Sequence, residues 1–174
     1  MARAALQPKK RIGEGPVPGA NMVPAATVIA AIFVSALPIV VQDGWFPDLG
    51  FLMLIAWRLR RSDVWPAWWA APLGLLNDAV TGLPLGLSVT VWTFAMLVLD
   101  FADRRTIWRD YWIEWVLAAL LIVMDLAAQW QVAAWTGAKL AFITAVPNIL
   151  ISAESFPLLA WLIASIDRWR FGRR

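Results

Sequence analysis

Long apolar runs broken by short polar stretches set the pattern of this chain. The runs fall at 22–41, 45–58, 64–81, 84–102, 111–136 and 146–166. All but the second approach or exceed the ~18–20 residues that an α-helix needs to cross a hydrocarbon core. The second is short for a crossing. It predicts local bilayer thinning, snorkelling flanks, or a helix lying deep among its neighbours. In the first run Ser35 and Pro38 predict a kink near the far end. The pattern therefore predicts an all-α, polytopic membrane bundle of six transmembrane helices whose second span is short.

The cations fix an orientation for such a bundle. Arg3, Lys9, Lys10 and Arg11 precede the first run, and the loop after the second is expected to hold Arg58, Arg60 and Arg61. Arg104, Arg105 and Arg109 follow the fourth, and Arg168, Arg170, Arg173 and Arg174 follow the sixth. With six spans these segments share one side, and among all Lys and Arg only Lys139 falls opposite. Five spans would break the separation. The positive-inside rule then makes both termini cytoplasmic. Residues 1–21 are expected to be a basic cytoplasmic tail, 22–167 a single membrane domain, and 168–174 a second basic tail. The first run has no small-residue cleavage pattern after it and is expected to be a retained span. The loops at 42–44, 81–83 and 137–145 are too short for an extracytoplasmic domain.

Composition strengthens the class and narrows the chemistry. The chain has 61% hydrophobic residues and a mean hydropathy of +0.66, too apolar for a soluble domain. It contains no Cys and no His, which removes thiol catalysis, disulfides, histidine bases and most zinc or haem ligation. No phosphate loop, dinucleotide fingerprint or nucleophile elbow is present. The expectation is a protein that is not an enzyme, with no cofactor and no metal. The net charge of +3 comes from inner-loop arginines, which suit anionic lipid headgroups and not nucleic acid. Of the 13 tryptophans, Trp45, Trp57, Trp65, Trp108, Trp112, Trp135 and Trp169 lie near predicted helix ends, as interfacial anchors do. Trp68, Trp69, Trp92, Trp115, Trp130 and Trp161 lie deeper and read as packing and lipid-facing bulk.

Intramembrane carboxylates need partners or tasks. Asp78 lies in Gly74-Leu75-Leu76-Asn77-Asp78-Ala79-Val80-Thr81-Gly82-Leu83-Pro84-Leu85-Gly86, between the third and fourth runs. Pro84 is expected to open the fourth helix and Gly82 to permit the turn. The free N–H groups of Leu85, Gly86 and Leu87 would then face Asp78 with the positive end of the helix dipole. Gly74 lies one turn away on the face of Asp78, where another backbone can approach closely. Gly74, Asn77, Asp78, Gly82, Pro84 and Gly86 are thus candidates for fixing a hairpin or docking a partner helix. Asp125, Gln129, Asn148 and Glu154 are expected to form buried polar contacts between helices. Glu114 is expected to pair with Arg109 or its neighbours.

The order Trp57-Arg58 … Gly74-Leu75-Leu76-Asn77-Asp78 … Gly82-Leu83-Pro84-Leu85-Gly86-Leu87 resembles the MreD family of bacterial rod-shape-determining proteins. The strong part of the resemblance covers residues 45 to 100. The size, the basic inner ends and a late proline in the last span, Pro157, match in pattern. Tryptophan content, Asn77 directly before the aspartate and the long basic tail depart from the family. The resemblance implies a non-enzymatic inner-membrane scaffold of the cell-elongation machinery. It implies binding to the membrane anchor of MreC and work alongside RodA, its penicillin-binding transpeptidase partner and MreB. Self-association as a homodimer is compatible with that role. The family is also similar in architecture to the S-components of energy-coupling-factor vitamin transporters, so a small-molecule-binding subunit is the alternative. A lipid-metabolising membrane enzyme is a third reading, supported only by Asp78 and the loop arginines.

Overall fold

A computed structural model of the chain describes residues 22–37, 46–60, 66–105, 111–137 and 142–172. Six α-helices form among them: α1 Val23–Ser35, α2 Leu49–Arg60, α3 Ala70–Thr81, α4 Leu87–Arg105, α5 Tyr111–Trp135 and α6 Val146–Gly172. Short 3₁₀ turns at Ala67–Trp69 and Phe142–Ala145 lead into α3 and α6. The expected tail at 1–21, the Pro38 kink and Arg109, the expected partner of Glu114, lie outside the described residues. The helix of α6 continues through Gly172, so most of the expected second tail is helical.

The short second run takes the deep position. Every residue of α2 from Gly50 to Leu59 is buried, because α1, α4, α5 and α6 all pack around it. Its 12 residues span about 18 Å, and from Gly50 to Leu59 it presents no exposed face. The core around it is apolar and large: Phe51, Leu52, Leu54, Ile55 and Trp57 from α2 meet Val28 and Ile32 of α1, Trp92, Met96 and Leu99 of α4, and Ile163 of α6. Phe51 stacks on Trp92 with ring centroids 5.9 Å apart. Trp57 is not the interfacial anchor expected from its place in the sequence. It is fully buried, and its indole Nε1–H donates to Thr27 Oγ1 at 2.8 Å. An indole N–H inside a core needs such an acceptor.

The outer elements differ in kind. Two stretches, Trp112–Trp135 and Val146–Arg168, are long and apolar enough to cross a membrane. Most of both faces outward, since 22% and 17% of their most apolar windows are buried within the chain. Trp112, Val116, Leu120, Trp135, Leu150, Leu158 and Trp161 are all exposed. Pro157 lies inside the continuous helix α6. It has no N–H to give the carbonyl of Ala153 four residues earlier, and the indole of Trp115 on α5 donates to that carbonyl instead, at 3.2 Å. A missing helical hydrogen bond is thereby replaced by a helix–helix contact.

Candidate functional site

Glycine and the Asp78 carboxylate build the α3–α4 hairpin. Gly82 ends α3 with φ +73°, the left-handed conformation that glycine adopts without a Cβ clash. Gly86 has φ +100°, which keeps it out of helical geometry and makes it the N-cap of α4; its carbonyl accepts from Thr90 N–H at 3.0 Å. A glycine cap has no side chain to satisfy the first free N–H groups. Asp78 supplies the missing oxygens from the preceding helix. Its Oδ2 accepts from Gly86 N–H at 2.7 Å and its Oδ1 from Ser88 N–H at 2.9 Å. One carboxylate thus performs both halves of a capping box, bonding the cap N–H and a first-turn N–H together.

Two details of the expectation are corrected. The donors are Gly86 and Ser88, not the run Leu85, Gly86 and Leu87. Pro84 does not open α4; it lies in the turn before it, where its carbonyl accepts from Leu87 N–H at 3.1 Å. The positive φ at Gly86 moves the helix start to Leu87. Gly74 does permit a close backbone approach, but the backbone is the chain's own. A Cβ there would sit 2.7 Å from Val89 N and 2.8 Å from the Ser88 carbonyl carbon.

Asn77 joins this hairpin to a second helix start. Its Nδ2 donates to Ser88 Oγ at 3.1 Å and to Asp48 Oδ2 at 3.2 Å, and the residue is fully buried. Asp48 is the N-cap of α2: its Oδ1 accepts from Phe51 N–H at 3.1 Å. Ser35, at the end of α1, accepts from Leu49 N–H at 3.1 Å. The sequence reading missed Asp48, although an Asp directly before an apolar run is itself an N-cap signal.

The polar set continues onto α5 and α6. Asn148 Nδ2 donates to the Phe46 carbonyl at 3.0 Å, and Ser152 Oγ donates to Asn148 Oδ1 at 2.9 Å. Asp125 is buried and accepts from Gln129 Nε2 at 2.8 Å within α5; Gln129 is half-buried. Asp48, Asp125, Asn148 and Ser152 line a cavity of about 10 Å³, closed by Phe51, Leu52, Ile122 and Leu126. That is room for a single water. Glu154 does not join them. It is exposed, because it follows Ser152 by two residues and so lies on the opposite side of a helix with 3.6 residues per turn.

A second charged layer marks the other end of the bundle. Arg58 and Arg60 lie in the last turn of α2, not in the expected loop. Arg58 is buried and forms an ion pair with Asp100 and another, at 3.5 Å, with Asp103 on α4. Arg60 reaches Asp167 on α6 at 3.9 Å. Along α6, Asn148 and Asp167 are separated by a rise of about 28 Å, close to the ~30 Å of a hydrocarbon core. Among the described residues no cluster of three or more His, Cys, Asp or Glu side chains is arranged to hold a metal ion. The chain matches no protein-family model, no curated protein and no solved structure.

Proposed function

We propose that this protein is a six-span inner-membrane scaffold of the cell-elongation machinery, MreD-like, with both termini cytoplasmic, and that it recognises the transmembrane segment of MreC. RodA, its transpeptidase partner and MreB are the wider assembly in which it acts. The observation that carries the reading is the Gly74–Gly86 segment, where the residues behind the family resemblance are those that fix the α3–α4 hairpin. The two polar layers about 28 Å apart along α6 and the outward apolar faces of α5 and α6 support insertion. The cation distribution supports the orientation.

The alternative is a small-molecule-binding subunit of a vitamin transporter; the polar cavity, at about 10 Å³, would not be its ligand site, since such a pocket takes about 300 Å³ or more. The deciding experiment is co-expression with MreC of the same bacterium and purification in mild detergent. A stoichiometric complex is expected, lost when the MreC membrane anchor is exchanged for an unrelated one. Failure of the intact pair to co-purify refutes the proposal, and a vitamin-sized ligand retained in native mass spectrometry supports the alternative.

A further inference from the structure

Glu154 is the carboxylate that the fold leaves unexplained. It is exposed on α6 and makes no hydrogen bond or ion pair among the described residues. Leu150 and Leu158 flank it one turn away on either side, and Trp161 follows; all three are exposed, at 60%, 71% and 65%. The spacing 150, 154, 158, 161 puts them on a single stripe of the helix. The opposite face, with Asn148, Ser152, Phe156 and Ile163, is buried against the bundle.

Depth separates Glu154 from the headgroups. The helical rise puts it about 9 Å inward of Asn148 and about 20 Å from Asp167, further than a Glu side chain reaches. With α6 in a bilayer, an ionised carboxylate so placed faces lipid and is strongly disfavoured without a partner. Among the described residues no cation lies at that level of α6. Helix α5 contains no Lys or Arg, and the first in α6 is Arg168.

We propose that the Leu150–Glu154–Leu158–Trp161 stripe of α6 is a docking surface for a transmembrane helix of another protein carrying one basic side chain at the matching depth. The apolar residues supply the packing, and Glu154 supplies a charge-assisted hydrogen bond that sets register. A second copy of this chain is a poorer occupant, because a two-fold contact through this stripe brings two like charges together. The inference rests on the reading of α6 as a membrane span, but not on the identity of MreC.

The test uses the purified full-length protein in neutral phosphatidylcholine vesicles, fluorescently labelled, with synthetic Leu/Ala transmembrane helices as probes. One probe carries a single Arg at the depth of Glu154, one carries Leu there, and one carries the Arg seven residues nearer the end. Energy transfer is expected to show at least tenfold tighter association of the first probe than of the other two, and Glu154→Gln and Glu154→Leu to abolish the difference. Equal association of all three probes, or a preference that survives Glu154→Leu, overturns the proposal. So does protein–protein energy transfer that vanishes with Glu154→Leu, which assigns the stripe to a second copy.

The native chain has no cysteine, so Glu154→Cys and Thr136→Cys report insertion separately. A water-soluble thiol reagent is expected to label position 136 and not 154; labelling at both refutes the membrane reading itself. MreC capture without the probe preference removes this inference and leaves the proposed function standing. The preference without MreC capture does the reverse.

Discussion

Replacing Asp78 isolates what holds the hairpin. The residue is 1% exposed, and its carboxylate accepts two backbone N–H groups, from Gly86 at 2.7 Å and from Ser88 at 2.9 Å. Hydrogen bonds to a charged group contribute about 1.5–3 kcal/mol each. Asp78→Ala removes both and leaves two donors of α4 without an acceptor, Ser88 N–H buried. The expected loss of folding free energy is about 3–5 kcal/mol. At 1.4 kcal/mol per decade, a loss of about 4 kcal/mol raises the unfolding equilibrium constant roughly a thousandfold. Asp78→Asn keeps an oxygen acceptor but replaces the other oxygen with a donor facing a donor, so a loss of about 2–3 kcal/mol is expected. The assay is reversible unfolding by SDS titration in mixed micelles, followed by tryptophan fluorescence and circular dichroism. An Asp78→Ala protein within 0.5 kcal/mol of wild type would show that the capping geometry contributes little and would refute the reasoning.

The same titration tests the neighbouring features. Gly74→Ala pushes a methyl group into backbone at 2.7–2.8 Å and is expected to cost about 1–3 kcal/mol; Gly82→Ala, where a Cβ meets nothing within 4 Å, is destabilised only through its positive φ, by about 1 kcal/mol. Trp115→Phe exposes the Ala153 carbonyl that Pro157 released and is expected to cost about 1–2 kcal/mol. In a Pro157→Ala background that carbonyl regains a helical N–H, so a double-mutant cycle is expected to show coupling of about 1 kcal/mol, and strict additivity refutes the account. Asp100→Asn is expected to destabilise more than Asp103→Asn, because Asp100 accepts a hydrogen bond from buried Arg58 while Asp103 stands 3.5 Å from it; equal losses in SDS unfolding count against that ranking.

The helical class and the Asp78 hairpin were legible because local signals carry them. Apolar run length reports helices, and a Gly-rich turn beside a carboxylate reports capping. The helix start at Leu87 was not legible, since it follows from the positive φ of Gly86 and a proline just before a helix resembles one just inside it. Asp48 carried a readable cap signal, but its bond to Asn77 joins residues 29 apart and depends on where the start of α2 comes to lie. The pairing of Arg58 with Asp100 and of Arg60 with Asp167 likewise depends on tertiary placement. Glu154 was grouped with Asn148 among the buried polar residues, and Ser152 lies between them. Helical period, applied to those three residues, sends it to the other side.

The enclosure of α2 has a consequence for how the protein is made. A helix of 12 residues ending in two arginines is a weak substrate for independent partition into lipid. Its cationic end is matched by Asp100 of α4 and Asp167 of α6, both synthesised later. Helix α2 therefore reaches its final seat only after α4 and α6 arrive, and a chain truncated before Asp167 is expected to hold α2 loosely and to be cut faster by proteases. Synthesis order and assembly order differ among these helices, with α6 completing the place of α2.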